Sequence, residues 1–209
     1  MIPLLLMVAA ATLPQTPVDA ERAFAADAKA IGRWTAFSKW SADDAVMFFP
    51  QPTKAHDFLK DRKDPLSAID WWPTASYISC DGKVAVNTGG WRRRDGSVGY
   101  FSTVWQRQPD GGWKWIVDSG DSANVAPRRP TSPKLVRAAC HDKRERKADV
   151  VVTATPSPSS DAKYAVGGSD DNTLTWLWIV RADGSRTFMA GYWNGLTLKD
   201  AIINKVAAP

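Results

Sequence analysis

The chain has 209 residues, of which 44% are hydrophobic and 23% are charged, so it can bury a full core as one large domain or two small ones. Its 27 basic and 22 acidic residues leave a net charge of +5, and the basic runs, such as HDKRERK (His141–Lys147), are not interleaved with aromatic residues. We therefore do not expect nucleic-acid binding. The 11 tryptophans favour a wide sheet or a deep pocket.

The first 15 residues form an apolar segment. Ile2–Ala11 has the length of a signal-peptide core, and Ala9 and Ala11 resemble an A-x-A cleavage site. The run is too short to span a bilayer, so it predicts no transmembrane span. No Lys or Arg precedes it, which leaves an apolar tail as the alternative. The segment predicts export, to the periplasm or out of the cell.

Helical patterns follow this segment. Thr16–Asp19 is a good helix start, because Thr can cap, Pro suits the first helical position and Asp favours the positive end of the helix dipole. Apolar residues then recur at near-helical spacing, and the pattern predicts one helix over 17–39. An extended segment over 45–49 and a short helix over 54–60, which carries His56, come next.

Four longer strands are predicted to form an antiparallel meander. They comprise 68–79, 83–92 and the two arms of the hairpin Gly99–Asp121. Pro73 lies inside the first strand and indicates an edge position or a bulge. The hairpin carries large apolar residues on both strand faces, so something must cover each face.

The last third of the chain also contains strand patterns. After a loop rich in proline and arginine, the sequence predicts a short helix over 135–147 and a strand over 148–158. A second aromatic hairpin over 174–195 and a closing helix over 196–208 complete the chain. This extension is predicted to lengthen the first sheet or to cover it.

The chain has two cysteines, Cys80 and Cys140. An oxidising compartment allows one bridge between them, closing a loop of about 60 residues. Two unrelated buried thiols are the alternative. The cysteines and the two histidines, His56 and His141, show no zinc spacing, so we expect no metal site.

Two stretches together carry a family resemblance: AERAFAADAKAIGRWTAFSKWSADDAVMFFP and YFSTVWQRQPDGGWKWIVDSGD. The long first helix running into DDAV, the V-W-x-R pattern of a late strand and the PDGGWKW turn resemble the nuclear transport factor 2-like superfamily, particularly its small SnoaL-like bacterial members. The resemblance covers residues 18–122 or so.

The resemblance implies an α+β fold, in which a cone-shaped, curved antiparallel sheet packs on N-terminal helices. It covers the cone domain, predicted over 16–122. The residue patterns add a signal peptide or apolar tail over 1–15 and a β-rich C-terminal extension over 123–209, predicted to pack on the same sheet. The concave face would enclose a cavity. The convex face would serve dimerisation or be covered by the extension.

Enzymes of this superfamily place an aspartate inside the cone as a general base, since an apolar cavity raises the pKa of a carboxyl group. The candidates here are Asp118, at the end of the last meander strand, and His56. Each has a structural alternative: a hydrogen-bonded strand-end aspartate and a surface helix histidine.

Aromatic side chains are the candidate ligand contacts, since small-molecule sites are mostly apolar. They are Trp105, Tyr100, Trp91, Phe49 and Trp72. Core packing is the alternative for each. Which strand face points inward is open, because a single bulge exchanges the faces.

The resemblance thus implies a protein that binds a small apolar or aromatic ligand, with no cofactor. One alternative is an isomerase, cyclase or dehydratase that uses Asp118 or His56 as general base. Another is a domain that forms a homodimer or docks a partner through its sheet.

Overall fold

The computed structural model describes residues 13–48, 50–67, 69–140 and 161–209. The helices within these ranges are α1 (Pro17–Ala30), α2 (Arg33–Trp40) and α3 (Ala55–Leu59). The strands are β1 (Ser41–Phe48), β2 (Pro52–Lys54), β3 (Asp70–Ile78), β4 (Val84–Arg92), β5 (Val98–Arg107), β6 (Trp113–Ala123), β7 (Lys134–Arg137), β8 (Lys163–Gly168), β9 (Leu174–Val180), β10 (Arg186–Trp193) and β11 (Leu198–Val206).

The helix predicted over 17–39 is in fact two helices, separated at Gly32. α1 begins as predicted, with the Thr16 hydroxyl accepting a hydrogen bond from the backbone N–H of Asp19 at 3.1 Å. Gly32 has a φ of +104°, and a Cβ there would overlap the Asp64 carboxylate. That carboxylate accepts the backbone N–H of Trp34 and so caps α2. Only glycine suits both the backbone angle and the close approach.

Replacing Gly32 by alanine should lower the free energy of unfolding by about 2 kcal/mol, because the backbone is strained and Asp64 must leave the start of α2. Chemical denaturation followed by circular dichroism measures the loss. Gly111→Ala is the matched control, since Gly111 has a φ of +84° but its Cβ would meet only Arg107, at 4.0 Å. Equal losses in the two variants would show that the approach of Asp64 is unimportant.

Seven strands form the first sheet in the order β2-β1-β6-β5-β4-β3-β7. The predicted meander β3 to β6 is antiparallel throughout, while β1 pairs in parallel with β6 and β7 in parallel with β3. The predicted fold class, α+β with a curved antiparallel sheet packed on N-terminal helices, is confirmed.

A bulge lies beside Pro73, as the sequence indicates. The pairing of β3 with β4 shifts between Pro73 and Ala75, which leaves Thr74 as the extra residue. Because β3 lies between β4 and β7, the alternative of an edge strand is wrong.

A second bulge, in β6, decides which side chains reach the concave face. Val104 of β5 pairs with Val117, but its neighbour Trp105 pairs with Trp115, so Ile116 is the extra residue on β6. The extra residue of a bulge shifts the alternation by one position, so the residues after it point to the face opposite to the one that simple alternation predicts. Asp118 therefore shares a face with Trp115, whereas Val117 points the other way.

Both faces of this sheet are covered. Aromatic and small side chains of α1, α2 and α3 pack on the concave face, around a core that includes Phe24, Trp71, Trp105, Trp113 and Trp115. A second sheet, of order β11-β10-β9-β8, packs on the convex face. Valines of the first sheet meet apolar side chains of the second there, namely Val84, Val86, Val104 and Val117 against Leu174, Trp178, Val180, Phe188 and Ile202. This explains why the hairpin β5–β6 is apolar on both sides.

Polar contacts also join the two sheets. The Cys80 N–H donates to the Thr173 hydroxyl at 2.8 Å, and the Asn204 side-chain amide donates to the Ser102 hydroxyl at 2.8 Å. Cys80 and Cys140 form a disulfide, with their Cα atoms 5.1 Å apart. The bridge ties the turn between β3 and β4 to the chain just after β7.

Two helix predictions in the extension are wrong. The closing segment predicted as a helix over 196–208 is the strand β11, which pairs antiparallel with β10, because pairing with a sheet edge outweighs local helix propensity. The helix predicted to begin at Leu135 is instead β7, whose backbone pairs with β3. Residues 138–140 of the predicted helix are not helical either. Residues 141–147 and the strand predicted over 148–158 lie outside the described residues. The hairpin β9–β10 is as predicted.

Residues 1–12, which hold most of the predicted signal segment, also lie outside the described residues. Export therefore stays a prediction. Across the ranges that the structure describes, none of the helices has the length and apolar character needed to cross a bilayer.

Candidate active site in the cone

A cavity of about 400 Å³ lies between the N-terminal helices and the concave face of the first sheet. Aromatic and aliphatic side chains make up most of its wall, and a few polar groups converge on it. The apolar part of the lining consists of Phe24, Trp34, Phe37, Met47, Phe48, Ile69, Trp71, Trp91 and Phe101. Such a volume and lining are typical of a small-molecule site.

Glu21 is the most deeply buried carboxyl group of this cavity, with 1% of its surface exposed. Its Oε1 accepts the indole N–H of Trp71 at 2.9 Å, and its Oε2 accepts that of Trp105 at 2.8 Å and the Asn87 side-chain amide at 3.2 Å. Burial raises the pKa of Glu21 to about 7, against the opposing effect of these three donors. The donors hold the carboxyl group in one orientation.

Asp118 is the second carboxyl group of the cavity. Thr103, directly opposite on β5, donates its hydroxyl to Asp118 Oδ2 at 2.9 Å. Oδ1 has no hydrogen-bond partner among the described residues, and Asp118 lines the cavity. Burial, followed by the negative charge of Glu21, raises the pKa of Asp118 to about 7, and the Thr103 hydrogen bond opposes the rise.

The two carboxyl groups titrate as a pair, because the charge of Glu21 acts on Asp118. Both have a raised pKa near neutrality. Around pH 7 the pair therefore holds both protonated and ionised groups. An apolar site that offers a carboxylate and a carboxylic acid together can take up and release protons.

The predicted ligand contacts divide into three groups. Trp91 and Tyr100 lie in the cavity wall. Trp105 is fully buried behind it, where it holds Glu21. Trp72 points away, and its indole N–H donates to the carbonyl of Pro127 at 3.2 Å.

Phe49, the remaining candidate, lies outside the described residues. Contact of Trp91 and Tyr100 with a ligand stays a prediction.

His56 does not line the cavity. Its Nε2 lies 3.1 Å from the hydroxyl of Ser41, which in turn donates to the carbonyl of Ser38 at 3.0 Å. The contact fastens α3 to the start of β1, which agrees with a structural role for His56.

Sequence reasoning missed Glu21, although a signal for it exists. Glu21 interrupts the apolar stripe of α1 at helical spacing from Val18, Ala25 and Ala28, all of which are buried. A charged residue in the buried stripe of a helix needs partners, and it is a candidate for function.

Within the described ranges, no group of three or more His, Cys, Asp or Glu side chains is arranged to hold a metal ion.

No protein-family model and no curated protein matches this sequence. Among solved structures, a protein provisionally named a ketosteroid isomerase, from Parabacteroides distasonis, is 18% identical over 55% of this chain and 94% of its own, with a TM-score of 0.45. A nuclear transport factor 2-like superfamily protein from Salmonella enterica is 14% identical over 52% of this chain and 89% of its own, with a TM-score of 0.39. A protein provisionally named an aromatic ring hydroxylase, from Novosphingobium aromaticivorans, is 17% identical over 52% of this chain and 87% of its own, with a TM-score of 0.39.

The fold and the cavity thus define an α+β cone that holds two carboxyl groups, the buried Glu21 and the half-buried Asp118. Each of these solved structures matches about half of this chain, the share over which the sequence resembles the nuclear transport factor 2-like superfamily. Overlaps with TM-scores this low carry no information on ligand or reaction. A functional conclusion has to rest on Glu21, Asp118 and the cavity around them.

Proposed function

We propose that the chain binds a small apolar or aromatic molecule in the cone and transfers a proton on it, with Asp118 as the general base. The observation that carries this proposal is the Oδ1 of Asp118, which has no hydrogen-bond partner among the described residues and lies at the wall of an aromatic cavity. A base is most effective when its pKa lies near the operating pH, and the pKa of Asp118 is raised to about 7.

The proposed step is proton abstraction next to a carbonyl group. Oδ1 of the Asp118 carboxylate takes a proton from carbon, the C–H electron pair passes into the carbonyl as an enolate, and the proton returns to the same or to another carbon. Return to the same carbon exchanges the proton; in a β,γ-unsaturated carbonyl compound the electron pair spreads over a dienolate, and return of the proton to the γ-carbon moves the double bond without loss of atoms.

A binder without catalysis is the second candidate, favoured by the predominantly apolar lining of the cavity. This candidate binds the same class of ligand, but Asp118 has no chemical role in it.

A homodimer stays a prediction, and the second sheet already covers the convex face. Export to the periplasm or beyond is part of the proposal, supported by the Cys80–Cys140 disulfide.

Proton exchange tests the function without knowledge of the natural ligand. The probe is 2-tetralone, an aromatic ketone with acidic C–H groups, incubated with the protein in D₂O and followed by NMR against buffer alone. We expect faster deuterium incorporation with the protein present. If 2-tetralone binds but its protons exchange no faster than in buffer, Asp118 is not a general base and the protein is a binder without catalysis.

The exchange rate should rise with pH and level off above about 7, since Asp118 acts as a base only when ionised. Thr103→Val removes the hydrogen bond that lowers the pKa of Asp118 and should move the midpoint to higher pH. Thr187→Val, at a threonine of β10 in the second sheet, is the control and should leave the midpoint in place. A midpoint that Thr103→Val does not move would assign the titration to another group.

A further inference from the structure

Two arginines stand where the main cavity meets a smaller one. Arg33 begins α2, and Arg93 directly follows β4. Both line the main cavity, and both line the neighbouring one together with Pro65, Ser67, Ile69, Arg94 and Asp95. The lining of the main cavity thus includes both the carboxyl groups of Glu21 and Asp118 and the guanidinium groups of Arg33 and Arg93.

Neither guanidinium group has an ion-pair or hydrogen-bond partner in the part of the chain that the structure describes. The Nε of Arg33 is buried and has no hydrogen-bond partner among the described residues. Each group stacks on an indole ring instead: Arg33 lies 4.2 Å from the ring centroid of Trp34, and Arg93 lies 4.5 Å from that of Trp91. Stacking holds the guanidinium planes in place and leaves their N–H donors available.

Asp64 and Asp95 act electrostatically on Arg33 and Arg93, but their hydrogen bonds go to other groups. Asp64 accepts two backbone N–H groups at the start of α2, and Asp95 accepts the backbone N–H of Ser97 at 2.9 Å. Asp121 of the cavity wall pairs with Arg186 at 3.3 Å. The positive charge of the two arginines is therefore not neutralised by contact with a carboxylate.

The pKa of Arg33 lies below its usual range. Burial lowers it, the charge of Arg93 lowers it further, and Asp64 only partly opposes both effects. An anion bound between Arg33 and Arg93 would supply the missing counter-charge and the hydrogen-bond acceptors.

We propose that Arg33 and Arg93 bind the oxyanion, in the first instance a carboxylate, of a ligand whose apolar body fills the cavity beside Asp118. This inference rests on the proposed function and specifies its substrate class as small apolar acids. A guanidinium group matches a carboxylate with two parallel hydrogen bonds, which makes it a selective partner. The carboxyl groups of Glu21 and Asp118 repel a second anion, so the ligand has one orientation, with its acidic end at the arginines.

Two probes that differ only in charge measure how much a negative charge on the ligand contributes to binding. Binding of 2-naphthoate and of 2-naphthamide is measured by quenching of tryptophan fluorescence at low ionic strength. The two molecules share one aromatic body, and only the first is an anion. We expect the acid to bind about tenfold or more tightly than the amide, since hydrogen bonds to a charged group are the stronger ones.

Arg33→Gln and Arg93→Gln should each weaken binding of the acid by about tenfold to a hundredfold and leave that of the amide unchanged. The amide therefore reports whether the cavity of each variant is intact. Arg181→Gln, at an exposed turn of the second sheet, is the control and should change neither. A similar titration with 2-naphthyl phosphate separates the two oxyanions: tighter binding than the acid that still requires both arginines assigns a phosphate.

Equal affinities of the wild-type protein for acid and amide overturn this inference, while the proton-transfer function stands if 2-tetralone exchange persists. Loss of amide binding in the arginine variants also overturns it, because the arginines would then support the cavity instead of recognising charge. If the wild-type protein binds neither probe and does not catalyse exchange, both the inference and the proposed function are wrong.

Discussion

Replacing Asp118 by asparagine should lower the rate of 2-tetralone exchange by about a hundredfold to ten-thousandfold, which is the usual contribution of a positioned general base. Asparagine has nearly the same volume and can still accept the Thr103 hydroxyl, which lies 2.9 Å from the carboxylate in the parent protein. It cannot accept a proton from carbon. NMR measurement of deuterium incorporation at pH 8, where Asp118 is largely ionised, gives the rate of each protein.

The same variant should bind 2-naphthamide with unchanged affinity, which separates loss of chemistry from loss of the cavity. Asp43→Asn, at an exposed carboxylate of β1, is the matched control and should retain the parent rate. Full exchange activity in Asp118→Asn would contradict the assignment. If exchange were then lost in Glu21→Gln, the base would be Glu21.

Glu21 should make the protein less stable as the pH rises. In the unfolded chain its carboxyl group ionises around pH 4.5, whereas in the folded protein its pKa is about 7. Below pH 4.5 both states are protonated, so the group does not favour either. Between these two values the unfolded chain loses its proton first, and stability falls by about 3 kcal/mol in total. Above pH 7 the loss is complete and the curve levels off.

Glu21→Gln removes this titration, and urea denaturation at a series of pH values measures the effect. The amide has one oxygen where the carboxylate has two, so the variant loses an acceptor for Trp71 or Trp105 at every pH. Its stability relative to the parent should nevertheless improve by about 3 kcal/mol between pH 4.5 and pH 8. Asp43→Asn should follow the parent curve. Parallel curves for the parent and Glu21→Gln would show that Glu21 does not hold its proton on folding.

Local patterns predicted much of the fold correctly. The start of α1 follows from Thr16, Pro17 and Asp19, which act within one helical turn. The meander follows from alternating aromatic and β-branched residues separated by Asp-Gly turns. The end of the first helix was not predictable in this way, because Gly32 depends on the approach of Asp64 from a distant loop. β11 was mistaken for a helix because its partner strand lies elsewhere in the chain.

The candidate site shows the same division. The sequence marks Asp118 as a polar residue among tryptophans, but strict alternation would place it on the face opposite Trp115. The bulge at Ile116 turns it towards the concave face, opposite Thr103. Glu21 becomes a functional candidate only when Trp71 and Trp105, from two separate strands, meet it in the core.

The sequence by itself thus determined the class of fold, the meander and the identity of one cavity carboxylate, because these depend on interactions between residues close in the chain. The tertiary structure alone decided the face of Asp118, its pairing with Glu21 and the position of Arg33 beside Arg93. Each of these depends on pairing register or burial, and such properties arise when segments far apart in the sequence exclude water from one another.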